Sequence, residues 1–316
     1  MRRQGPRRLL LGVVMLSVAS SGCGSGHSVA ASGSTAARSI QHDGGSSKVP
    51  TDPKRVVTVD NSAASAALSL GVTPKGSTYF SSTSGTTKVA GIADVGLEES
   101  PNLEAIAALK PDLILGGWPS GLYDKLSAIA PTVEIGYDEQ KGGLDWMRAL
   151  ELYARALGKE SKASDLLAQY RAGVARAQRD WDLVSTKPTV SILRPGNGHV
   201  SQYLSGTFSG SIVYDDVGFA PPPTAPKVAW QRLSLEHLPD LDADHVVVWD
   251  YTSKPGNESK DAAGMSALLG NPLWERMTGT KVGHLIRGSN AWYGMSYTSA
   301  MQLLKELDDA APRGPR

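Results

Sequence analysis

The sequence contains little cysteine, little phenylalanine and almost no net charge. Cys23 is the single cysteine among 316 residues, which excludes a disulfide within one chain. Lysine and arginine number 32 against 31 aspartates and glutamates, so no basic surface is indicated and we expect no nucleic-acid partner. Phenylalanine occurs three times but tryptophan seven times, and tryptophan suits a binding cleft as well as an ordinary core.

Sequence motifs of common enzymes are also missing. No GxGxxG or GxxxxGK[ST] motif provides a phosphate-binding loop, and no GxSxG motif marks a nucleophilic serine. The six histidines form no HExxH or HxxxH pattern that would indicate a metal site. We therefore expect a protein that is not an enzyme, that holds no metal ion of its own and that needs no cofactor.

The N-terminus has the features of an export signal. Four arginines precede an apolar stretch over residues 9–18, which is too short to cross a bilayer. The small residues that follow lead into Cys23 and resemble the lipobox of bacterial lipoproteins, although Ser20 stands where such patterns prefer an aliphatic residue. We predict a signal peptide over residues 1–22 and a lipid on Cys23. A secretory signal with an incidental cysteine is the alternative.

Residues 23–48 are rich in glycine, serine and alanine and hold few large apolar side chains. Such a segment buries too little surface to offset its ordering entropy, so we predict a flexible tether in which His27 and His42 are solvated. Acyl chains on Cys23 would anchor the protein to the outer face of the cell membrane. The alanine, glycine and arginine content favours a Gram-positive source, so a location on the outer face of the cell membrane is expected more than a periplasmic one.

One pattern of residues occurs twice in the sequence. Residues 102–118 begin with a good N-cap, Asn102, and continue with apolar residues at helical spacing, a proline and a buried-strand run. Residues 234–249 repeat that pattern without a gap. Two copies of one helix–strand unit predict two similar α/β lobes. The alignment pairs Glu104 with Glu236 and Asp112 with Asp244.

Strands and helices alternate in both halves of the chain, but the residues between the halves are typical of helix alone. Apolar residues recur at helical spacing there, interrupted at Gly158 and Lys159, which predicts a helical spine that connects the two α/β halves. The predicted boundaries are 49–141 for the N-terminal lobe, 142–184 for the spine, 185–311 for the C-terminal lobe and 312–316 for a tail.

Several segments together resemble the iron-siderophore substrate-binding proteins of ABC importers. Besides the lipobox and the tether, they are residues 53–57 (PKRVV), 68–74 (LSLGVTP) and 101–115 (PNLEAIAALKPDLIL). The likeness runs from about Val49 to Asp309. It implies a class III substrate-binding protein, in which two Rossmann-like α/β lobes are joined by one long rigid helix and the ligand lies in the cleft between them.

The same resemblance implies the partners of the protein. They are a ferric siderophore, an ABC permease with its ATPase, and the membrane through the lipid anchor only, with the binding protein itself a monomer. In such proteins a glutamate at the start of a helix in each lobe docks against arginines of the permease, which points to Glu104 and Glu236. A glutamate in the first turn is also favoured by the helix dipole alone, so an ordinary structural role stays open.

Ligand contacts are expected where strands end at the cleft between the lobes. In relatives of this kind an arginine just after the first strand of the second lobe contacts the iron-chelating oxygens, which points to Arg194. Each aromatic candidate is as compatible with packing as with ligand contact. The candidates are Asn61, Tyr79, Phe80 and Trp118 in the first lobe and Arg194, Tyr203, Phe208, Trp230, Trp249, Tyr251, Arg287, Trp292 and Tyr293 in the second.

The cations near these strand ends indicate the class of ligand. Only Arg194 and Arg287 are found there, so a neutral or weakly charged ferric hydroxamate such as a ferrioxamine fits better than a strongly anionic tris-catecholate. The siderophore, not the protein, would hold the iron. Haem, a corrinoid and a bare Zn²⁺ or Mn²⁺ ion are alternative ligands for the same fold. A cell-wall-associated enzyme or a structural lipoprotein is the second alternative.

Overall fold

A computed structural model gives the fold of the chain. It describes residues 36–78, 91–117, 121–137, 143–249, 258–281 and 283–312, with side chains of the helix that begins at residue 258 from residue 262 onward. Residues 35–316 form one compact unit. Predictions for the signal peptide, Cys23 and His27 lie outside the described residues. Within these ranges, none of the helices combines the length and the apolar composition that a membrane span requires.

Strands and helices alternate along the chain as the sequence predicts. The first half contains β1 (Ala37–His42), β2 (Gly45–Pro50), β3 (Val56–Thr58), α1 (Asn61–Ser69), β4 (Gly76–Ser77), β5 (Ala93–Asp94), β6 (Gly96–Leu97), β7 (Ser100–Pro101), α2 (Leu103–Ala108), β8 (Leu113–Leu115), α3 (Tyr123–Ser127) and β9 (Thr132–Val133). The second half contains α4 (Trp146–Leu157), α5 (Glu160–Asp180), β10 (Val190–Gly196), β11 (His199–Tyr203), α6 (Phe208–Gly210) with its π-helical continuation (Ser211–Val217), β12 (Trp230–Ser234), a 3-10 helix (Leu235–Leu241), β13 (His245–Trp249), α7 (Glu258–Leu269), two 3-10 turns (Trp274–Arg276 and Thr278–Thr280), β14 (Leu285–Gly288), a 3-10 helix (Asn290–Tyr293) and α8 (Tyr297–Ala310).

The described part of the chain contains two separate five-stranded sheets. In the first, the order is β5-β4-β3-β8-β9 and all strands are parallel. In the second, the order is β12-β11-β10-β13-β14, with β10, β13 and β14 parallel and the two strands at the other edge antiparallel. This confirms the predicted α/β class with two lobes. In each sheet, the parallel strands bring their carboxyl ends to one edge.

The repeated sequence pattern is a repeated structural unit. In each lobe a short helix, α2 or the 3-10 helix Leu235–Leu241, leads into a fully buried strand, β8 or β13. The second helix is 3-10 over its whole length and contains Pro239, whose missing N–H cannot join an α-helical ladder. The unit predicted from the sequence is therefore present twice, with a different helix type in each copy.

The aligned aspartates have the same role in both copies. Asp112, just before β8, accepts hydrogen bonds from the backbone N–H groups of Lys54 (2.9 Å) and Arg55 (2.8 Å), which lead into the neighbouring strand β3. Asp244, just before β13, accepts from the backbone N–H of Thr189 (2.8 Å), which leads into β10. Each carboxylate thus satisfies backbone donors at the start of the adjacent parallel strand. The match between the two aspartates is explained by this shared contact.

We expect Asp112→Ala to lower the free energy of unfolding by about 2 kcal/mol, because two backbone N–H groups lose a charged acceptor. For Asp244→Ala we expect about 1 kcal/mol, since that side chain is more exposed. Urea denaturation at neutral pH measures both values. Asp165→Ala, on the exposed face of α5, is the matched control. If Asp112→Ala were as stable as this control, the assigned role of Asp112 would be wrong.

The contribution of Asp244 also depends on pH. The hydrogen bond from the Thr189 backbone N–H, more than any other cause, lowers the pKa of the Asp244 carboxyl. The contribution is therefore complete above the unfolded pKa of about 3.9 and is lost as pH falls through the folded pKa. The stability difference between the wild type and Asp244→Ala should accordingly disappear in strong acid.

The spine consists of two helices, not one. It begins at Trp146, because the Asp145 side chain caps α4 by accepting from the Arg148 backbone N–H, and it ends with α5 at Asp180. Gly158 ends α4 with a φ of +67°, a left-handed conformation that glycine adopts without strain. The interruption noted at Gly158 is therefore a full helix break, and α5, with 21 residues, is the one long helix of the spine.

The tether prediction is wrong for residues 37–48, which belong to the hairpin of β1 and β2. Its inward-facing side chains Ile40 and Val49 are buried in the core. The Ser47 hydroxyl donates to the carbonyl of Thr132 (2.7 Å) in the first sheet. His42, predicted to be solvated, is partly buried, and its Nε2 lies 3.0 Å from the Ser47 hydroxyl. Composition indicated a tether because cross-strand pairing is not visible in composition.

Candidate functional site

At the carboxyl edge of the first sheet, Asp60 organises the backbone. Asp60 is 2% exposed and lies two residues after the end of β3. One carboxylate oxygen accepts from the Ala63 backbone N–H (2.7 Å) and caps α1, and the other accepts from the Gly117 backbone N–H (2.8 Å) after β8. A single carboxylate therefore joins the ends of two neighbouring strands to the first turn of a helix.

The close approach of β8 to Asp60 requires glycine at position 116. Gly116 has a φ of +130°, and a Cβ added there would lie 2.7 Å from Asp60 Oδ2 and 2.7 Å from Val59 Cγ2. A side chain at this position would therefore push Asp60 out of its contacts. The part of the candidate site at the edge of the first sheet thus consists of backbone and the buried carboxylate of Asp60.

A second carboxyl group lies near Asp60. Glu98, in the turn between β6 and β7, is partly buried next to Asp60 and Asn61. Its burial, followed by the nearby negative charge of Asp60, raises the pKa of Glu98 to about 8, against the opposing effect of the Asn61 backbone N–H. Burial and the negative charge of Asp60 both favour the neutral form of this carboxyl. No local sequence pattern identifies this residue, because Asp60 precedes it by 38 positions in the chain.

At the corresponding edge of the second sheet, an arginine and aromatic rings form one group. The Arg194 guanidinium carbon lies 5.7 Å from the ring centre of Tyr203 and 5.6 Å from that of Tyr293. The Tyr203 ring is 5.2 Å from Trp249, which is stacked 6.2 Å from Trp292. Each tyrosine presents its ring to the cation, an attractive arrangement. The structure thus brings together five of the residues singled out from the sequence.

The strand register adds two residues to this face. Arg194 is directly opposite Ser201, which is directly opposite Arg232, so the three side chains share one face of the sheet. In the next row, Tyr203 is opposite Trp230, which is 47% exposed. Arg232 was missed by the sequence analysis, although it alternates with Trp230 along a strand. Two guanidinium groups therefore flank strand β11 on the side that carries the aromatic rings.

Two buried polar groups on this face have no hydrogen-bond partner among the described residues. They are the hydroxyl of Ser201, a residue 1% exposed, and the indole N–H of Trp249, a residue 0% exposed. Leaving such groups unpaired costs about 1–3 kcal/mol each. A bound polar ligand that hydrogen bonds to them would recover that free energy.

Arg287 lies away from this group. It is directly opposite Val248 in the register and therefore shares the face of the sheet covered by α7, where its Nη1 lies 3.6 Å from Met265 Sδ. Arg194 is on the other face, with Val247 and Trp249. The two arginines counted together in the sequence are thus separated by the sheet.

Of the remaining candidates, two are packed in the core, one is partly buried and four lie outside the described residues. Phe208 is 7% exposed in the core, and Trp292 is fully buried with its indole N–H donating to Glu306 (2.7 Å), so both are placed for packing. Asn61 is partly buried at the start of α1, beside Glu98. Four candidates lie outside the described residues: Tyr79, Phe80, Trp118 and Tyr251.

The residues around Asp60 and the residues around Arg194 lie near the same contact between the two lobes. The Ser62 hydroxyl in α1 donates to the carbonyl of Met295 (3.3 Å), and the Ser65 hydroxyl lies 2.9 Å from that of Thr298 in α8. Asn61 precedes Ser62, and Tyr293 is two residues before Met295. The N-terminal group around Asp60 and the C-terminal group around Arg194 are therefore adjacent to one junction.

The aligned glutamates are both on the surface. Glu104 is exposed in the first turn of α2. Glu236 is exposed in the first turn of its 3-10 helix, with 78% of its side chain accessible, and accepts a hydrogen bond from the Ser234 hydroxyl (2.8 Å). Within the part of the chain that the structure describes, no cluster of three or more histidine, cysteine, aspartate or glutamate side chains is arranged to hold a metal ion.

Comparison with known proteins identifies the family. The family model described as periplasmic binding protein matches residues 56–291. The chain is 32% identical to the probable siderophore-binding lipoprotein YfiY of Bacillus subtilis (strain 168), over 87% of this chain and 86% of that protein. It is 30% identical to the achromobactin-binding periplasmic protein of Dickeya dadantii (strain 3937), over 71% and 75% of the two chains.

A solved structure agrees with this match in sequence and in fold. It is the crystal structure of Staphylococcus aureus SirA complexed with staphyloferrin B, which is 30% identical to this chain. The TM-score is 0.71, and the alignment covers 86% of this chain and 98% of SirA. Together with the two lobes, each of which contains one five-stranded sheet, these matches show that the chain belongs to the periplasmic binding protein family.

Proposed function

We propose that this protein captures a ferric siderophore and delivers it to the permease of an ABC importer. The observation that carries the proposal is the Arg194 guanidinium, which lies 5.7 Å from the ring centre of Tyr203 and 5.6 Å from that of Tyr293 at the carboxyl edge of the second sheet. A guanidinium donates paired hydrogen bonds to anionic oxygens such as those that chelate iron. The names of the matched relatives, which include siderophore-binding and achromobactin-binding proteins, support the same ligand class.

In this proposal the site binds its ligand and catalyses no reaction. The rings of Tyr203, Trp230 and Trp249 offer flat apolar surface, while Arg194 and Arg232 offer donors to oxygen atoms. In this proposal iron arrives already chelated, so the protein needs no cofactor and no metal ligand of its own. The protein then acts as a carrier, not as an enzyme.

A ferric hydroxamate such as a ferrioxamine is the first candidate ligand, and an anionic ferric carboxylate is the second. The first rests on the small number of cations near the strand ends. The second is favoured by Arg232, which replaces Arg287 on the relevant face and flanks the unpaired hydroxyl of Ser201 together with Arg194. Two guanidiniums around a buried donor fit a chelate with free or iron-bound carboxylate oxygens.

We further propose that Cys23 carries the lipid anchor and holds the protein at the outer face of the cell membrane. The lipobox-like sequence before Cys23 supports this location. Two matched relatives, one named a lipoprotein and one a periplasmic protein, support an extracytoplasmic location in general. The partners are then the permease with its ATPase, which the protein meets as a monomer.

Tryptophan fluorescence tests the ligand proposal, because several of the seven tryptophans lie at or near the candidate site. The purified protein is titrated with ferrioxamine B, ferric citrate, haem, cobalamin and Zn²⁺. We expect quenching at submicromolar concentration by one of the two ferric chelates, and the stronger of the two decides between hydroxamate and carboxylate. No response to either chelate, with tight binding of haem, cobalamin or Zn²⁺, would contradict the proposed function.

A further inference from the structure

Met295 has a left-handed backbone that a residue with a side chain rarely adopts. Its φ is +41°, and it directly follows Gly294, which ends the 3-10 helix Asn290–Tyr293. Gly294 itself has an ordinary φ of −78°. Helices commonly end with glycine in the left-handed position, because that conformation is strained for a residue with a Cβ. Here methionine takes this position although a glycine stands immediately before it.

Two other residues with side chains share this conformation within the described ranges. They are Lys110, with a φ of +47° after α2, and Asp182, with a φ of +49° after α5. Both are exposed, whereas Met295 is partly buried and packs against the hydrophobic core. Strained backbone persists where the surrounding structure holds it in place. The contacts of Met295 therefore decide what its strain is used for.

Met295 contacts the other half of the protein with both its backbone and its side chain. Its carbonyl accepts a hydrogen bond from the Ser62 hydroxyl (3.3 Å) in α1 of the first lobe. Its thioether lies against Gly143, three residues before α4, where an added Cβ would be 2.9 Å from Met295 Sδ and 2.9 Å from Cε. Gly143 has a φ of +142°, so neither its backbone nor the space around it admits a side chain.

On either side of Met295 the chain belongs to the second lobe. Ser296 is 4% exposed and caps α8, where its side chain accepts from the Ser299 backbone N–H (3.2 Å). Tyr293 is two residues before Met295, and its ring centre is 5.6 Å from the Arg194 guanidinium carbon. Because the cap fixes Ser296, a change in the Met295 backbone is passed to Tyr293 through the single residue between them.

We propose that Met295 is a positioning residue for the ligand: its left-handed backbone, held by Ser62 and Gly143, keeps the Tyr293 ring beside Arg194. This inference rests on the proposed function. Met295 acts on the ligand through Tyr293 and does not touch the ligand itself. A ring that is already in place loses less freedom when a chelate binds. The strain thus favours binding, because this part of the site is formed before the ligand arrives.

Met295→Val tests the role of the backbone. Valine is branched at Cβ and strongly disfavoured at positive φ, so the chain should relax and displace Tyr293. We expect chelate affinity to fall about tenfold, as for a site that is formed in about one molecule in ten. Tryptophan fluorescence measures this with ferrioxamine B or ferric citrate, whichever quenches the wild type. Lys110→Val, the same change at another left-handed position, should bind like the wild type.

Met295→Asn separates backbone conformation from side-chain packing. Asparagine tolerates the left-handed conformation, but it removes the thioether from its contact with Gly143. We expect its chelate affinity to stay within about threefold of the wild type, so that the loss in Met295→Val is assigned to conformation. Thermal unfolding shows that each variant is folded at the temperature of the titration.

Ser62→Ala tests the contact that holds this backbone from the first lobe. It removes the hydrogen bond to the Met295 carbonyl, and we expect chelate affinity to fall about threefold, within the range for one hydrogen bond. Ser65→Ala is the matched control, because it removes another hydrogen bond between α1 and α8, in which the Ser65 and Thr298 hydroxyl oxygens are 2.9 Å apart. It should bind the chelate like the wild type.

Four outcomes would overturn the inference. If Met295→Val binds like Lys110→Val, the backbone of Met295 does not position the site. If Met295→Asn loses as much affinity as Met295→Val, packing and not conformation is responsible. If Ser62→Ala and Ser65→Ala bind alike, the first lobe does not act through Met295, and this comparison decides alone should Met295→Val not fold. If the wild type binds neither chelate, the proposed function itself fails and the positioning role fails with it.

Discussion

Arg194→Ala is expected to weaken binding of the ferric chelate about 100-fold. The guanidinium is partly buried and lies beside the rings of both Tyr203 and Tyr293, so its donors are already oriented before a ligand arrives. Hydrogen bonds to charged groups contribute about 1.5–3 kcal/mol each, and about 2.8 kcal/mol corresponds to a factor of 100 in affinity. Fluorescence titration with ferrioxamine B and ferric citrate measures the change.

Arg287→Ala is the matched control for this prediction. It removes the same side chain from the same sheet, but on the face covered by α7, beside Met265. Its chelate affinity should equal that of the wild type. Arg232→Ala should lie between the two, with a loss of about tenfold, because that side chain is more exposed than Arg194.

Arg194→Lys separates charge from geometry. It keeps the positive charge but loses the planar fork of donors, so we expect partial affinity. Thermal unfolding of each variant shows whether the fold is retained. If Arg194→Ala bound as tightly as the wild type, or if Arg287→Ala lost as much affinity as Arg194→Ala, the assignment of the binding face would be wrong.

The two-lobed fold was predictable because its signals are local. Asn102 caps α2 through its side chain, which accepts from the Ala105 backbone N–H. Leu113–Leu115 is an apolar run that becomes a fully buried parallel strand. The pairing of Asp112 with Asp244 in the sequence also reflects a real equivalence, because both carboxylates hold the start of a neighbouring strand.

The composition of the binding face was not predictable in the same way. Successive residues of a strand point to opposite faces, so the face of an arginine depends on register to a single residue. Arg287 and Arg232 both lie in strands. The pairing of Arg287 with Val248 and of Arg232 with Ser201 places them on opposite faces of the sheet. Glu98 depends on a contact between a hairpin turn and the end of β3, which local sequence does not encode.

The break in the spine has a signal in the sequence. Gly158 lies where the apolar stripe is interrupted, and in the structure it ends α4. A contact distant in sequence accompanies the break, since Arg38 of β1 donates to the carbonyl of Ala156 (3.2 Å) in the last turn of α4. Composition alone predicts a tether over residues 37–48, so it indicates no partner for that helix end.

Replacing both Glu104 and Glu236 with alanine is expected to abolish uptake while leaving chelate affinity unchanged. Both side chains are exposed in the first turn of a helix, one in each lobe, and neither belongs to the Arg194 group. Their charges lie at equivalent positions of the repeated unit, and we expect them to form two matching contacts with the permease. Two linked contacts act together, and loss of both removes the gain in effective concentration as well as each single interaction.

Uptake of radiolabelled iron as the preferred chelate, in cells that depend on this protein, measures the effect of the double variant. Fluorescence titration of the purified double variant measures its affinity. Single variants should keep partial uptake, because one lobe still docks. Glu151→Ala with Glu160→Ala removes two exposed glutamates from the spine helices and should transport like the wild type. Loss of chelate affinity in the Glu104 and Glu236 double variant would assign these residues to the ligand, and normal uptake would place the docking surface elsewhere.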